Sequence, residues 1–425
     1  MSNKIEFKYN DWHWKTDFIN ITLFLSVFTL CIAQTFNVSS IIYFLIDFPI
    51  IIMIITNLKK YIRTILDKQV FGISVILFVI FLTSVVSGMV NNVPIGNMVY
   101  GIYKYFRGFA LFYCVLAFGD NASERQTYRL YFTVFWLNAI LTVIEFFAFN
   151  INQDLLGGIF GLVIGVNQYT NLFFVIISIY CIEKLVNHDT SKKEYKLIIV
   201  MIIMMLVISA FAELKYFYAE FIILFICAYL CLPKRIKSLI GIGLIIIGIL
   251  VCYNILVRMF PEFADLTNEL KHGGLYRLMD LQRHYSTDFD IGRAVVFSYS
   301  NKYLVTKKIN QWLGMGIGAV TSSSLVNNQF WLQHKATHYD QFATSYLYIE
   351  QGMIGFILYC LIFLKLFIIG IKSLLNELTR KYGTMLIMSV IGFIMIFVYN
   401  MALFSQLSFI AFGFLAIIVN KCNVK

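Results

Sequence analysis

Ionisable side chains interrupt otherwise apolar stretches at a few places, and these are where the chain could do chemistry. Lys104 and Arg107 fall in IYKYFRGF, Glu145 in LTVIEFFAF, Lys215 in FAELKYFYAEF between Glu213 and Glu220, and Lys365 in a late apolar run. A charge at membrane depth is costly, so such residues usually face a bundle interior or a wet cavity. Each has a plainer alternative. Lys104 and Lys365 have stems long enough to snorkel to the headgroups, Glu145 can be a hydrogen-bonding group between helices, and Lys215 can pair locally with Glu213 or Glu220. Lys215 falls in a tight turn joining two short helices, expected outside the cytoplasm, where its ammonium would meet lipid phosphate.

A second group lies in the long connector 258–342, which holds Arg258, Arg277, Arg283 and Arg293 among interleaved acids, with His272, His284, His334 and His338. Arg293 opens an amphipathic helix expected over 293–309. Its guanidinium suits bidentate binding of a phosphate; the alternative is a salt bridge with Asp288 or Asp290. Gly314, Gly316 and Gly318 form a GxGxG turn, but no strand precedes it and no suitable helix follows at nucleotide-fold spacing. The expectation is a flexible return to the membrane. In THYDQFATSYLYIEQG, His338 and Asp340 should sit at the mouth of a helix with Glu350 deeper in it. A histidine and a carboxylate converging where polar residues enter the bilayer suit a general base.

The elements that must position these groups are membrane helices. Of 425 residues, 60% are hydrophobic and 13% charged, against about 25% charged in a soluble domain. Apolar runs of roughly 20 residues recur near 18–36, 38–58, 70–90, 96–118, 128–149, 167–186, 196–211, 215–232, 236–257, 343–371, 382–400 and 402–420. The expected fold is an all-α integral membrane protein of about 12 transmembrane helices. One long extracytoplasmic loop contains short amphipathic helices, with periodicity over 261–286 and 293–309. Residues 1–257 form an N-terminal bundle, 258–342 the loop subdomain and 343–425 the last helices. Before the first run there is no small-residue cleavage site, so that span is expected to stay.

Charge placement tests the topology. Every second connector is basic: Lys59, Lys60, Arg63 and Lys68; Arg125 and Arg129; Lys184, Lys192, Lys193 and Lys196; Lys234, Arg235 and Lys237; Lys372, Arg380 and Lys381. Between them, 91–95 and 151–166 contain no Lys or Arg, so both termini should be cytoplasmic and loop 258–342 outside. The net charge of +11 therefore belongs to membrane topology and implies no nucleic acid. The cysteines sit mostly inside apolar runs without metal-ligand or framework spacing, and no repeat or low-complexity tract stands out.

In order and placement these motifs resemble the O-antigen ligase and Wzy-type polysaccharide polymerase superfamily. They are Gly292-Arg293 opening the loop helix, Leu313 to Gly318, His338 to Asp340, and Glu350, Gly352 and Gly355 as E-x-G-x-x-G. The resemblance covers 290–355, with the span count agreeing elsewhere. Lys215 occupies the short mid-chain turn where that superfamily often has Arg. Where ligases show His followed by Asn, Ser or Gln, this chain has His338-Tyr339-Asp340-Gln341, which tilts the resemblance towards a polymerase.

The resemblance implies a glycosyltransferase of the bacterial inner (plasma) membrane that polymerises undecaprenyl-diphosphate-linked repeat units into O-antigen or capsule. Arg293, Lys215, Arg277 and Arg258 would bind the donor diphosphate, and His338 or Asp340 would serve as base, with Arg293 assisting departure of the diphosphate. Lys104, Arg107 and Glu350 are intramembrane polar candidates. No metal or other cofactor is implied; membrane lipid and a chain-length regulator protein are partners. A ligase or protein O-oligosaccharyltransferase of the same superfamily differs only in acceptor. A lipid-linked glycan transporter or flippase is the alternative of another class, for which two related halves would be expected.

Overall fold

The computed structural model of the protein describes residues 14–187, 191–231, 243, 254, 257–258, 291–321 and 328–422. Nearly all of the expected span 236–257, the helix expected over 261–286, and Arg277 lie outside the described residues. Among the described residues all regular structure is helical. Among the described residues nine α-helices precede the loop: α1 (Trp14–Phe36), α2 (Asp47–Thr56), α3 (Leu58–Ile65), α4 (Phe71–Val90), α5 (Ile95–Phe118), α6 (Asn121–Phe149), α7 (Asn167–Asn187), α8 (Lys192–Phe211) and α9 (Lys215–Cys231). Short helices α10 (Val296–Tyr299), α11 (Lys308–Leu313) and α12 (Gln329–His334) follow. The chain then runs through α13 (Ala343–Leu374), α14 (Arg380–Tyr399) and α15 (Ser408–Lys421).

This is an all-α, multi-pass membrane protein. Seven helices, α1, α4, α6, α7, α8, α13 and α14, are long and apolar enough to cross a bilayer, or eight if the bent pair ending in α3 counts as one span. Among the described residues that is fewer than the twelve expected. Lys104 and Arg107 lower the hydropathy of α5, while α9 has 17 residues and α15 has 14, so these three do not meet the same measure. The expected span 38–58 is a 3-10 turn Ser40–Ile46 followed by α2, and at Asn57 the chain bends by 95° into α3, within the expected basic connector. The sequence LKKYIRTI carries its basic side chains outward and cannot continue an apolar span.

Helix α7 is the centre of the bundle, with 83% of its apolar window buried and α9 and α14 packed on it. Large side chains such as Phe24, Ile55 and Phe78 are exposed on the outside of the bundle, the inverse of a soluble protein and the arrangement lipid requires. Basic connectors gather at one end. There Lys421 pairs with Glu124 at 2.8 Å, and Gln69 reaches the carbonyl of Val419 at 3.4 Å. The opposite, loop end is tied by Ser87 Oγ donating to Gly314 O at 2.7 Å and Asn167 Nδ2 donating to Ala212 O at 3.2 Å. Glu145 takes the hydrogen-bonding role: its Oε2 accepts Gly158 N–H at 2.8 Å and holds the α6–α7 connector against the bundle.

The single amphipathic helix expected over 293–309 is not formed. A 3-10 turn Arg293–Val295, α10 and a π-turn Ser300–Leu304 succeed one another before α11. Val305 N–H closes the π-turn on Ser300 O at 2.7 Å, which widens the helix and lets Leu304 and Val305 enter the core. Tertiary burial overrides local periodicity here.

Candidate functional site

The GxGxG turn is not a flexible return but the most tightly inserted backbone of the loop. Gly314, Gly316 and Gly318 have φ of 75°, 99° and 80°, a region open to glycine. A Cβ on them would stand 2.2 Å from Glu350 O, 2.3 Å from Gly88 Cα and 2.0 Å from Asn97 O. The turn is thus wedged between α4, α5 and α13. It also interrupts α13, which kinks at Gly352 with φ 64° and ψ −168°. The opened ladder is filled from the turn, with Met315 N–H donating to Ile349 O and Gly316 N–H to Glu350 O, both at 2.9 Å.

Glu350 lies immediately inside this kink and is fully buried. Its Oε1 accepts from Val320 N–H at 3.1 Å and from Thr321 Oγ1 at 2.8 Å. Thr321 in turn hydrogen-bonds Tyr346 OH. Lys104 Nζ donates to the same Tyr346 oxygen at 3.1 Å and lies 4.2 Å from its ring centroid. Lys104 therefore does not snorkel; it closes a chain Lys104–Tyr346–Thr321–Glu350.

Above this chain, at the loop end, lie the other candidates. Ile291 N–H donates to Thr337 O at 3.0 Å, which brings the Gly292-Arg293 segment beside His338. Arg293 Nε donates to Tyr399 O, the last carbonyl of α14, at 3.1 Å. The guanidinium lies 4.2 Å from the Tyr399 ring centroid and 4.7 Å from that of Phe342. Tyr399 stacks on Tyr216 at 4.4 Å and 7°, and Tyr216 follows Lys215 in α9. The loop, α14 and the α8–α9 turn thus bring Arg293 and Lys215 into one neighbourhood. Asp288 and Asp290, considered as partners of Arg293, lie outside the described residues. Lys215 takes its local alternative, pairing with Glu213 Oε1 at 2.5 Å, while Glu220 is buried beside Asn171 at 3.4 Å.

His338 adopts φ 51° and is half-buried. Asp340 Oδ2 accepts from Trp331 Nε1 at 3.3 Å, and Tyr339 OH donates to Val320 O at 2.7 Å, tying the HYD segment to the Gly-rich turn. Beside them opens a cavity of about 410 Å³ at the α4–α5 turn. Its lining includes Asn92, Thr306, Lys307, Gln329 and Phe330, while Asn91 and Asn310 brace it with a 2.9 Å hydrogen bond.

Two expected residues fall elsewhere. Arg107 pairs with Asp47 at 3.3 Å, donates to Tyr43 O at 3.2 Å and packs on Phe409 at 4.6 Å, a knot between α2 and α5. Asp47, which also accepts from Tyr103 OH at 2.6 Å, was not among the residues singled out from the sequence. A lone acid in the apolar run 41–56 was the available signal that Arg107 had a partner. Arg258 is exposed and makes no described hydrogen bond or ion pair. Among the described residues no group of three or more His, Cys, Asp and Glu side chains is placed to hold a metal ion. The chain matches no protein-family model and no curated protein.

Proposed function

We propose that this chain is a Wzy-type membrane glycosyltransferase, extending O-antigen or capsule from undecaprenyl-diphosphate-linked repeat units at the outer face of a bacterial plasma membrane. In this reading α5, α9 and α15 also span, both termini are cytoplasmic and the loop end faces outward. The observation that carries it is the convergence of Arg293, through the Tyr399–Tyr216 stack, on the Lys215 turn, at the same end as His338 and Asp340. Cations from separate elements meeting at one mouth suit a diphosphate held at the membrane surface.

The mechanism follows from that placement. The donor diphosphate lies against Arg293 and Lys215, which bind it and stabilise the charge that grows as it leaves, the kind of fixed electrostatic arrangement that supplies a large catalytic share. An acceptor hydroxyl attacks the anomeric carbon; the new carbon–oxygen bond forms as the bond to the diphosphate oxygen breaks. His338 or Asp340 takes the hydroxyl proton, and undecaprenyl diphosphate departs. The amide-lined cavity with Phe330 at its wall offers the mixture of hydrogen-bonding groups and one aromatic face that suits a sugar chain. Its volume of about 410 Å³ admits part of an oligosaccharide.

The test is turnover of purified protein with a lipid-diphosphate-linked repeat unit, read as a glycan ladder. Wild type should give a ladder and Arg293→Ala should lose it while remaining folded; His338→Ala and Asp340→Ala then assign the base. Transfer of a single unit to lipid A core or protein without elongation would shift the reaction to ligation. Movement of the labelled lipid across a vesicle without transfer would overturn the enzyme reading.

A further inference from the structure

At the opposite, lysine-rich end, Lys68 in the α3–α4 turn and Lys365 and Lys372 of α13 border one cavity of about 280 Å³, with Gln69 and Asn376. Three lysines thus border one hollow, where an anion would find charge of the opposite sign. Among the described residues none of the three makes an ion pair. Of the acids nearest in sequence, Asp67 caps its own turn by accepting Gln69 N–H at 2.9 Å, and Glu377 is exposed. Lys365 reaches the cavity because Gly72 leaves room for its stem, whose Cε would lie 3.0 Å from a Cβ at that position.

We propose that this cavity binds the phosphate headgroup of an anionic phospholipid in the leaflet at the lysine-rich end. The surface beside it favours a lipid over a free phosphate. Ile368 lines the cavity, and Ile371, Leu375 and Leu378 are exposed next to it, an apolar flank for acyl chains below a basic headgroup pocket. The site is independent of the glycan chemistry at the other end.

Native mass spectrometry of the full-length protein, titrated with phosphatidylglycerol or phosphatidylcholine of identical chains, tests this directly. Wild type should retain phosphatidylglycerol in preference. Each Lys→Gln substitution at Lys68, Lys365 or Lys372 should weaken it about fivefold, and the triple variant on the order of a hundredfold. Gly72→Val, which displaces the Lys365 stem without removing charge, should weaken it like Lys365→Gln, and size-exclusion profiles would show that each variant stays folded. Undiminished phosphatidylglycerol binding by the folded triple variant would overturn the site. Inorganic phosphate displacing the lipid at equal concentration would overturn the lipid assignment in favour of a soluble anion.

Discussion

Replacing Gly352 by alanine should uncouple the Gly-rich turn from α13. Gly352 has φ 64° and ψ −168°, a combination that is essentially glycine's alone and costs another residue about 1–3 kcal/mol. The added Cβ would also stand 2.3 Å from Trp312 O and 2.4 Å from Gly314 N, both backbone atoms that cannot rotate away. The turn must retreat by about an ångström, and the hydrogen bonds from Met315 and Gly316 into the kink break, each worth about 1 kcal/mol. Strain and lost bonds together come to about 3–5 kcal/mol, a large part of the 5–15 kcal/mol that holds a typical fold. Thermal unfolding in detergent gives the stability change, and hydrogen exchange over 314–321 locates it. Gly96→Ala is the control: nothing lies within 4 Å of that Cβ, and at the exposed start of α5 the change should leave stability within about 0.5 kcal/mol of wild type. If Gly352→Ala unfolds with wild type and keeps its protection at 314–321, the turn does not depend on the kink and the reasoning fails.

Three further outcomes follow from the same geometry. Asp47→Ala and Arg107→Ala should each destabilise by about 3–5 kcal/mol by leaving a buried charge unpaired, while the double variant should cost little more than either; additive losses would mean the two side chains are not one unit. Glu350→Gln keeps an oxygen for Val320 N–H and Thr321, so stability and elongation should largely survive, whereas Glu350→Leu should lose about 2–3 kcal/mol; abolished elongation in a stable Gln variant would make Glu350 a proton-transfer group. His334, packed on Phe330 at 4.5 Å, has its pKa lowered from 6.5 by burial. Its contribution is therefore present above about pH 6.5 and lost as pH falls through the lower folded value. Exchange protection of α12 should drop on acidification, and the same drop in His334→Gln would refute that assignment.

The spans were legible because their cause is local. The apolar run 70–90 became α4 at Phe71–Val90 and 382–400 became α14 at Arg380–Tyr399, since lipid leaves a backbone no better option than a helix. What escaped has tertiary causes. The π-turn at Ser300–Leu304 exists because Leu304 and Val305 have a core to enter, which no window of the sequence contains.

The candidate site divides along the same line. Arg293, Lys215, His338 and Asp340 were recognisable because charge near an apolar helix is rare enough to mark itself, and the fold gathers them at one end. The glycines carried the opposite kind of information. Read along the chain, Gly314, Gly316 and Gly318 signal freedom, whereas each is needed because another backbone stands within 2.3 Å of where its Cβ would be, on α13, α4 and α5 respectively. A glycine required by a neighbour distant in sequence looks the same as one required by a turn until the neighbour is known. Glu350 shows the converse: a buried acid that reads as chemistry is, through Val320 and Thr321, the post to which the turn is tied. Order at the mouth, where Tyr339 is bound to Val320 at 2.7 Å, is thereby built from below. The residues that make the site rigid are those whose types say least about its chemistry.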